Sequence, residues 1–187
     1  EIFKTNNFAR PFQIVDAKFA RITLGVAWCG KSASNECEFF AMAGRDNICA
    51  VFRVDERMDY TVGQWAEVGR FTGHTNHVYT VQLGPPSHAN GRVAVSADYD
   101  GSIRIWSYDT FAELRKIKID ASMYLLAVTP DFVFLCSPCN TNGESRPTLF
   151  EIATGKEVMQ LEIHGAQVFG LQFANNSPLL ATCCADS

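Results

Sequence analysis

The sequence is poor in three things, and each shortage closes off a class of function. It has no cluster of lysines and arginines: 16 basic residues are spread among 20 acidic ones, for a formal net charge of −4. A surface that neutralises neighbouring phosphates needs basic residues grouped on one face, so nucleic acid is not expected as a primary partner. No apolar run approaches the roughly 20 residues that a bilayer-spanning helix requires, and no signal-peptide pattern opens the sequence. Membrane insertion is therefore not expected. Long amphipathic helical patterns are scarce too, which argues against helices flanking a parallel sheet.

A disulfide framework is also missing. The seven cysteines are an odd number and are scattered at positions 29, 37, 49, 136, 139, 183 and 184. Cys49 in NICAVF and Cys136 in FVFLC lie inside apolar strand-like runs, where a free thiol packs as a small hydrophobe. Such usage suits a reducing compartment, and an intracellular location, cytoplasmic or nuclear, is expected. One glycosylation sequon, Asn175-Asn176-Ser177, points the other way and is a single short match.

What is present is apolar material in short pieces. At 47% hydrophobic and 19% charged residues, the chain can build a core and does not have the composition of a disordered segment. Ile22–Trp28, Ile48–Val54, Val78–Leu83, Arg92–Ser96, Ile103–Trp106, Leu125–Thr129 and Phe132–Cys136 are rich in β-branched and aromatic residues. Asn90-Gly91, Asp100-Gly101, Asn142-Gly143 and Thr154-Gly155 punctuate them with residues that tolerate the positive φ of tight hairpin turns. The pattern is all-β and antiparallel. It also repeats: Val81, Leu126 and Leu171 each centre an apolar strand, with successive members 45 residues apart. Val26 holds the same place 55 residues before Val81, and the extra length falls in the polar stretch Asp55–Gln64. A period of about 40–45 residues with four strands per unit predicts a β-propeller, in which each small sheet covers its neighbours.

The stretch Gly73–Ser107 resembles a WD repeat. Gly73-His74 precedes its first strand, VAVSADYDGSIRIWS spans its second and third, and Trp106-Ser107 stands where the family has Trp-Asp. The resemblance implies a buried hydrogen-bond chain within the blade, in which Trp106 donates to Ser96, Ser96 bonds His74, and His74 bonds Asp100. In the last unit His164, Thr182 and Asp186 match the same pattern, with Ile163 in place of the usual glycine. In the first unit Asp46 fits the turn, while Met42 and Phe52 fall where Ser and Trp are expected. The middle unit has blade-like strands and none of the four polar residues. The expected organisation is a single partial β-propeller of about three and a half four-stranded antiparallel blades. Residues 1–17 hold a possible ring-closing strand around Phe12–Val15. Residues 18–72, 73–119 and 120–163 form blades, and 164–187 form an incomplete one. The missing initial methionine and the stop at Ser187 suggest a fragment of a longer protein.

Four constellations invite a chemical reading. Ser96, His74 and Asp100 have the residue types of a hydrolase triad, but a nucleophile needs an exposed hydroxyl and an oxyanion hole, whereas Ser96 lies within a strand with Trp106 placed to occupy its oxygen. Gly25–Ser32, GVAWCGKS, matches the spacing of a phosphate loop in which Lys31 and Ser32 would serve phosphate and magnesium. Its Val-Ala-Trp-Cys interior suits a buried strand better than a loop. Cys136-Ser137-Pro138-Cys139 and Cys183-Cys184 offer thiols but not two well-spaced metal-ligand pairs. What remains is surface. The resemblance implies partner binding where the loop before a first strand meets the turn before a third, which places Arg45, Asn76, His77 and Tyr99 on a candidate protein-binding face. Arg and Tyr are enriched at interface hot spots. The expectation is a non-catalytic WD-repeat scaffold or adaptor that binds other proteins or peptides in a multi-subunit assembly, with no cofactor, no metal and no catalytic residues. The competing reading is a phosphate-loop nucleotide-binding enzyme using Gly25–Ser32.

Overall fold

The computed structural model of the chain describes residues 23–29, 37–55, 65–86, 92–119, 125–141, 144–174, 177 and 179–185. All regular structure among them is β, in fourteen strands. Among the described residues no helix is long and apolar enough to cross a membrane. The Phe12–Val15 segment, the sequon asparagines and most of the 55–64 insertion lie outside the described residues.

The strands form consecutive antiparallel sheets. The first sheet holds β1 (Thr23–Cys29), β2 (Cys37–Gly44), β3 (Ile48–Asp55) and β4 (Trp65–Thr72), paired in chain order. The second holds β5 (Val78–Leu83), β6 (Val93–Asp98), β7 (Ser102–Ser107) and β8 (Glu113–Lys118), again in order. The third comprises β9 (Ala127–Val128), β10 (Phe134–Thr141), β11 (Glu144–Glu151) and β12 (Glu157–Gln160), and β13 (Val168–Phe173) pairs with β14 (Leu180–Cys184). The repeat seen in the sequence is a repeat of register. Val26 pairs with Met42, Val81 with Ser96 and Leu171 with Thr182, and an irregularity precedes each, at Thr23/Gly25, Val78/Thr80 and Val168/Gly170.

The sheets stack face to face. Ala27, Cys29 and Phe71 of the first pack against Val78, Val81 and Trp106 of the second. The other face of the second sheet, with Val95, Ile103 and Ile105, packs on Leu126, Leu135 and Phe150 of the third. Ala127 and Cys136 of the third then meet Leu171, Phe173 and Leu180 of the last. This explains why β6 and β7 read as near-continuous apolar runs: both of their faces are covered. By contrast, the outer strand β8, ELRKIK, buries only Ile117, and its charges discourage pairing of the exposed edge with another chain.

The first strands of neighbouring sheets come closest together. A Cβ on Gly25 would stand 2.7 Å from the carbonyl oxygen of Tyr79 on β5, a backbone atom that cannot swing aside. Gly25→Ala is expected to lower stability by about 1–3 kcal/mol, as overpacking does, measured as a drop in the urea midpoint with an unchanged slope.

Candidate functional site

A buried polar chain crosses the second sheet. The Trp106 indole N–H donates to Ser96 Oγ at 2.8 Å, and Ser96 Oγ lies 2.6 Å from His74 Nε2. His74 Nδ1 lies 2.8 Å from Asp98 Oδ2, and the other oxygen of Asp98 accepts the backbone N–H of Asp100 at 3.1 Å and of Ser102 at 2.9 Å. The donors and acceptors run consistently when the imidazole carries its proton on Nδ1: indole N–H to hydroxyl oxygen, hydroxyl proton to Nε2, Nδ1–H to carboxylate. His74, Ser96, Asp98 and Trp106 are all buried, and each linking atom has a partner, the condition for keeping polar groups out of water. The chain faces the first sheet, where Phe71 stacks on Trp106 with ring centroids 5.0 Å apart.

The carboxylate on His74 is Asp98 and not Asp100, which corrects the assignment implied by the family resemblance. Along a strand alternate residues share a face, so Ala94, Ser96 and Asp98 point the same way from β6. Asp100 lies beyond the strand end, in the turn that Gly101 completes with φ of 73°. It is exposed, and its carboxylate accepts the side-chain N–H of Asn76 at 2.9 Å. Asp98 and Asp100 are both evenly spaced from Ser96, and the end of β6 at Asp98 separates them.

The other sheets solve the same position differently. In the last, His164 Nε2 lies 3.0 Å from Thr182 Oγ1 and Nδ1 lies 3.0 Å from Cys184 Sγ, while Asp186 lies outside the described residues. In the first, Met42 and Phe52 belong to an apolar cluster, and Phe52 stacks on Phe40 at 4.8 Å. In the third, Val128 faces Leu135 as Leu83 faces Ala94, so Ser137 occupies the register of Ser96. It is buried and donates to the Leu125 carbonyl at 3.0 Å. Its serine was not recognised from the repeat pattern, because no histidine, aspartate or tryptophan accompanies it.

Above the polar chain, two loops form a cleft of about 480 Å³. The turn between β2 and β3 supplies Arg45, Asp46 and Asn47, and the loop between β4 and β5 supplies Thr75, Asn76 and His77. Asn47, with φ of 64°, takes the left-handed place that Gly101 holds in the second sheet. Asn76 Oδ1 accepts the His77 N–H at 2.7 Å, and the Tyr99 N–H donates to the His77 carbonyl at 2.9 Å. Arg45, Asn76 and His77 thus share one cleft, and Tyr99, exposed and 6.0 Å from the Tyr79 ring, is tied to its rim through the backbone. Asp46 Oδ1 and His77 Nδ1 are buried atoms with no hydrogen-bond partner among the described residues.

The WD domain, G-beta repeat family model matches residues 65–107 and 155–187. Over those two spans the chain carries WD repeats. No curated protein matches it. Each matched span starts at the outer edge of one sheet, with β4 or just before β12, and runs into the next sheet. The sheets are accordingly antiparallel WD-type propeller blades, and a sequence repeat bridges two of them. WD repeats typically serve as non-enzymatic interaction modules. The glycine of the Gly-His pair has a steric reason here: a Cβ on Gly73 would lie 3.0 Å from the Arg104 guanidinium and 3.1 Å from the Trp106 ring.

The other chemical readings meet geometry that does not serve them. Gly25 to Cys29 belong to β1 and pair with β2, an extended course where a phosphate loop would curl its backbone around a ligand. Lys31 and Ser32 lie outside the described residues. Cys136 packs toward the last sheet and Cys139 toward the second, as positions three apart on a strand must. Among the described residues no three His, Cys, Asp or Glu side chains gather as metal ligands. Ser96 is enclosed, its oxygen held by Trp106.

Burial pushes the Asp98 carboxyl up, but the hydrogen bond and charge of His74 and the N–H groups of Ser102 and Asp100 together outweigh it and hold the carboxyl below its ordinary value. A carboxylate lowered on folding contributes stability above its unfolded pKa of about 3.9 and loses it as pH falls through the lower folded value. The urea midpoint is therefore expected to fall below about pH 4, and Asp98→Asn to flatten that decline. His74→Ala is expected to cost about 1–3 kcal/mol by orphaning Ser96 and Asp98. In thermal melts Asp98→Ala should lower the midpoint clearly more than Asp100→Ala does.

Proposed function

We propose that this chain is a non-catalytic scaffold or adaptor that binds other proteins or peptides within a multi-subunit assembly, through the loop face carrying Arg45, Asn76, His77 and Tyr99. The observation that supports this reading is the convergence of the β2–β3 turn and the β4–β5 loop on one open cleft, with an exposed arginine on its lining and an exposed tyrosine beside it. The buried chain of His74, Ser96, Asp98 and Trp106 serves as the support beneath that face: Asp98 accepts the Asp100 N–H, and Asp100 in turn holds Asn76. A rigid mount reduces the ordering cost of binding. The cytoplasm or nucleus is the location this reading assigns.

The test is affinity capture with the wild-type chain and with an Arg45→Ala/Tyr99→Ala double variant, using Lys156→Ala in the β11–β12 turn as a surface control. Hot-spot truncations cost more than about 1 kcal/mol each, so recovery of partners by the double variant is expected to drop several-fold while the control stays at wild-type level. Equal recovery by all three chains removes this face from consideration.

A further inference from the structure

The last blade repeats the second blade's pattern with one chemical change. Val168 pairs with Cys184 as Val78 pairs with Asp98, and Leu171 pairs with Thr182 as Val81 pairs with Ser96. His164 meets Thr182 through Nε2 and Cys184 through Nδ1, both at 3.0 Å, just as His74 meets Ser96 and Asp98. A thiol stands where the second blade has a carboxylate.

We propose that Cys184 is a nucleophilic thiol, activated by His164, and a site of modification by hydroperoxides. The imidazole nitrogen that gives its proton to a carboxylate in the second blade here faces a group able to give a proton to it. The sulfur and the imidazole Nδ1 lie in direct contact at 3.0 Å. A thiolate beside a histidine is the reactive form of cysteine. The side chain is half-buried among the described residues. Most other described thiols are placed in the opposite way. Burial pushes Cys49 and Cys136 up to about 12 and raises Cys139, and Cys29 donates its S–H to the Gly84 carbonyl from a buried position. Cys183 is exposed but, as the strand neighbour of Cys184, points to the other face, where its sulfur lies against Gly170. The two adjacent thiols are thus not disposed to join.

The step balances within the site. His164 Nδ1 takes the proton from Cys184 Sγ, and the thiolate attacks one peroxide oxygen. An S–O bond forms as the O–O bond breaks, and the leaving oxygen takes the proton back from His164. The sulfur is oxidised by two electrons to a sulfenic acid, and the peroxide is reduced to water or an alcohol.

The test exposes the intact chain to hydrogen peroxide with a sulfenic-acid trap, and in a second arm to iodoacetamide at pH 7, with every cysteine followed by peptide mass spectrometry. Cys184 is expected to carry the trap and to alkylate at least about tenfold faster than Cys183, the advantage of a histidine-activated thiol in a reaction that runs through the thiolate. His164→Asn should bring its rate down to that of Cys183. Equal rates for the two cysteines in the wild type, or an unchanged Cys184 rate in His164→Asn, overturns the proposal. Cys49 and Cys136 report folding in the same digest. If they become labelled in His164→Asn, the variant has opened, and the wild-type ratio of Cys184 to Cys183 alone decides.

Discussion

No sheet of this chain can hide both of its faces alone. The second and third are four strands wide and apolar on two sides, so both of their faces are buried by leaning on the sheet before and the sheet after. The second blade shows the consequence most fully, with Val81 and Trp106 turned to the first blade and Val95, Ile103 and Ile105 to the third. The outer strands carry the charge and the inner strands carry the close approach, as Gly25 against Tyr79 illustrates.

Burying a serine, a histidine and an aspartate in that interface is tolerable because their hydrogen bonds form one directed sequence that ends on backbone N–H groups. Its covering group is Phe71 from the neighbouring blade, so the polar chain and the blade contact stabilise each other. The identity of the carboxylate matters beyond the core. Because Asp98 serves His74, Asp100 is left at the surface to hold Asn76, and the loop that carries His77 is braced from below.

Neighbouring blades show how much chemistry one register position can carry. Met42 in the first, Ser96 in the second, Ser137 in the third and Thr182 in the last stand at equivalent places on their second strands. The first blade replaces the polar chain by stacked rings at Phe40 and Phe52. In the last, the carboxylate position becomes a thiol. Backbone pairing sets where the side chain points, and local partners set what that side chain does.

The all-β class, many of the strand positions and the repeat followed from the sequence by itself, because strand propensity, turn chemistry and a 45-residue spacing are local or periodic properties. The histidine, serine and tryptophan of the polar chain were also legible, since their types and offsets resemble a family pattern. Which aspartate joins them was decided only in three dimensions. Asp98 and Asp100 both lie an even number of residues from Ser96, and the point at which β6 ends, a matter of pairing with β5 and β7, separates one from the other. Ser137 and Cys184 took up their equivalent places for the same reason. Register across strands brings together residues far apart in the chain, and no spacing within one strand reports it.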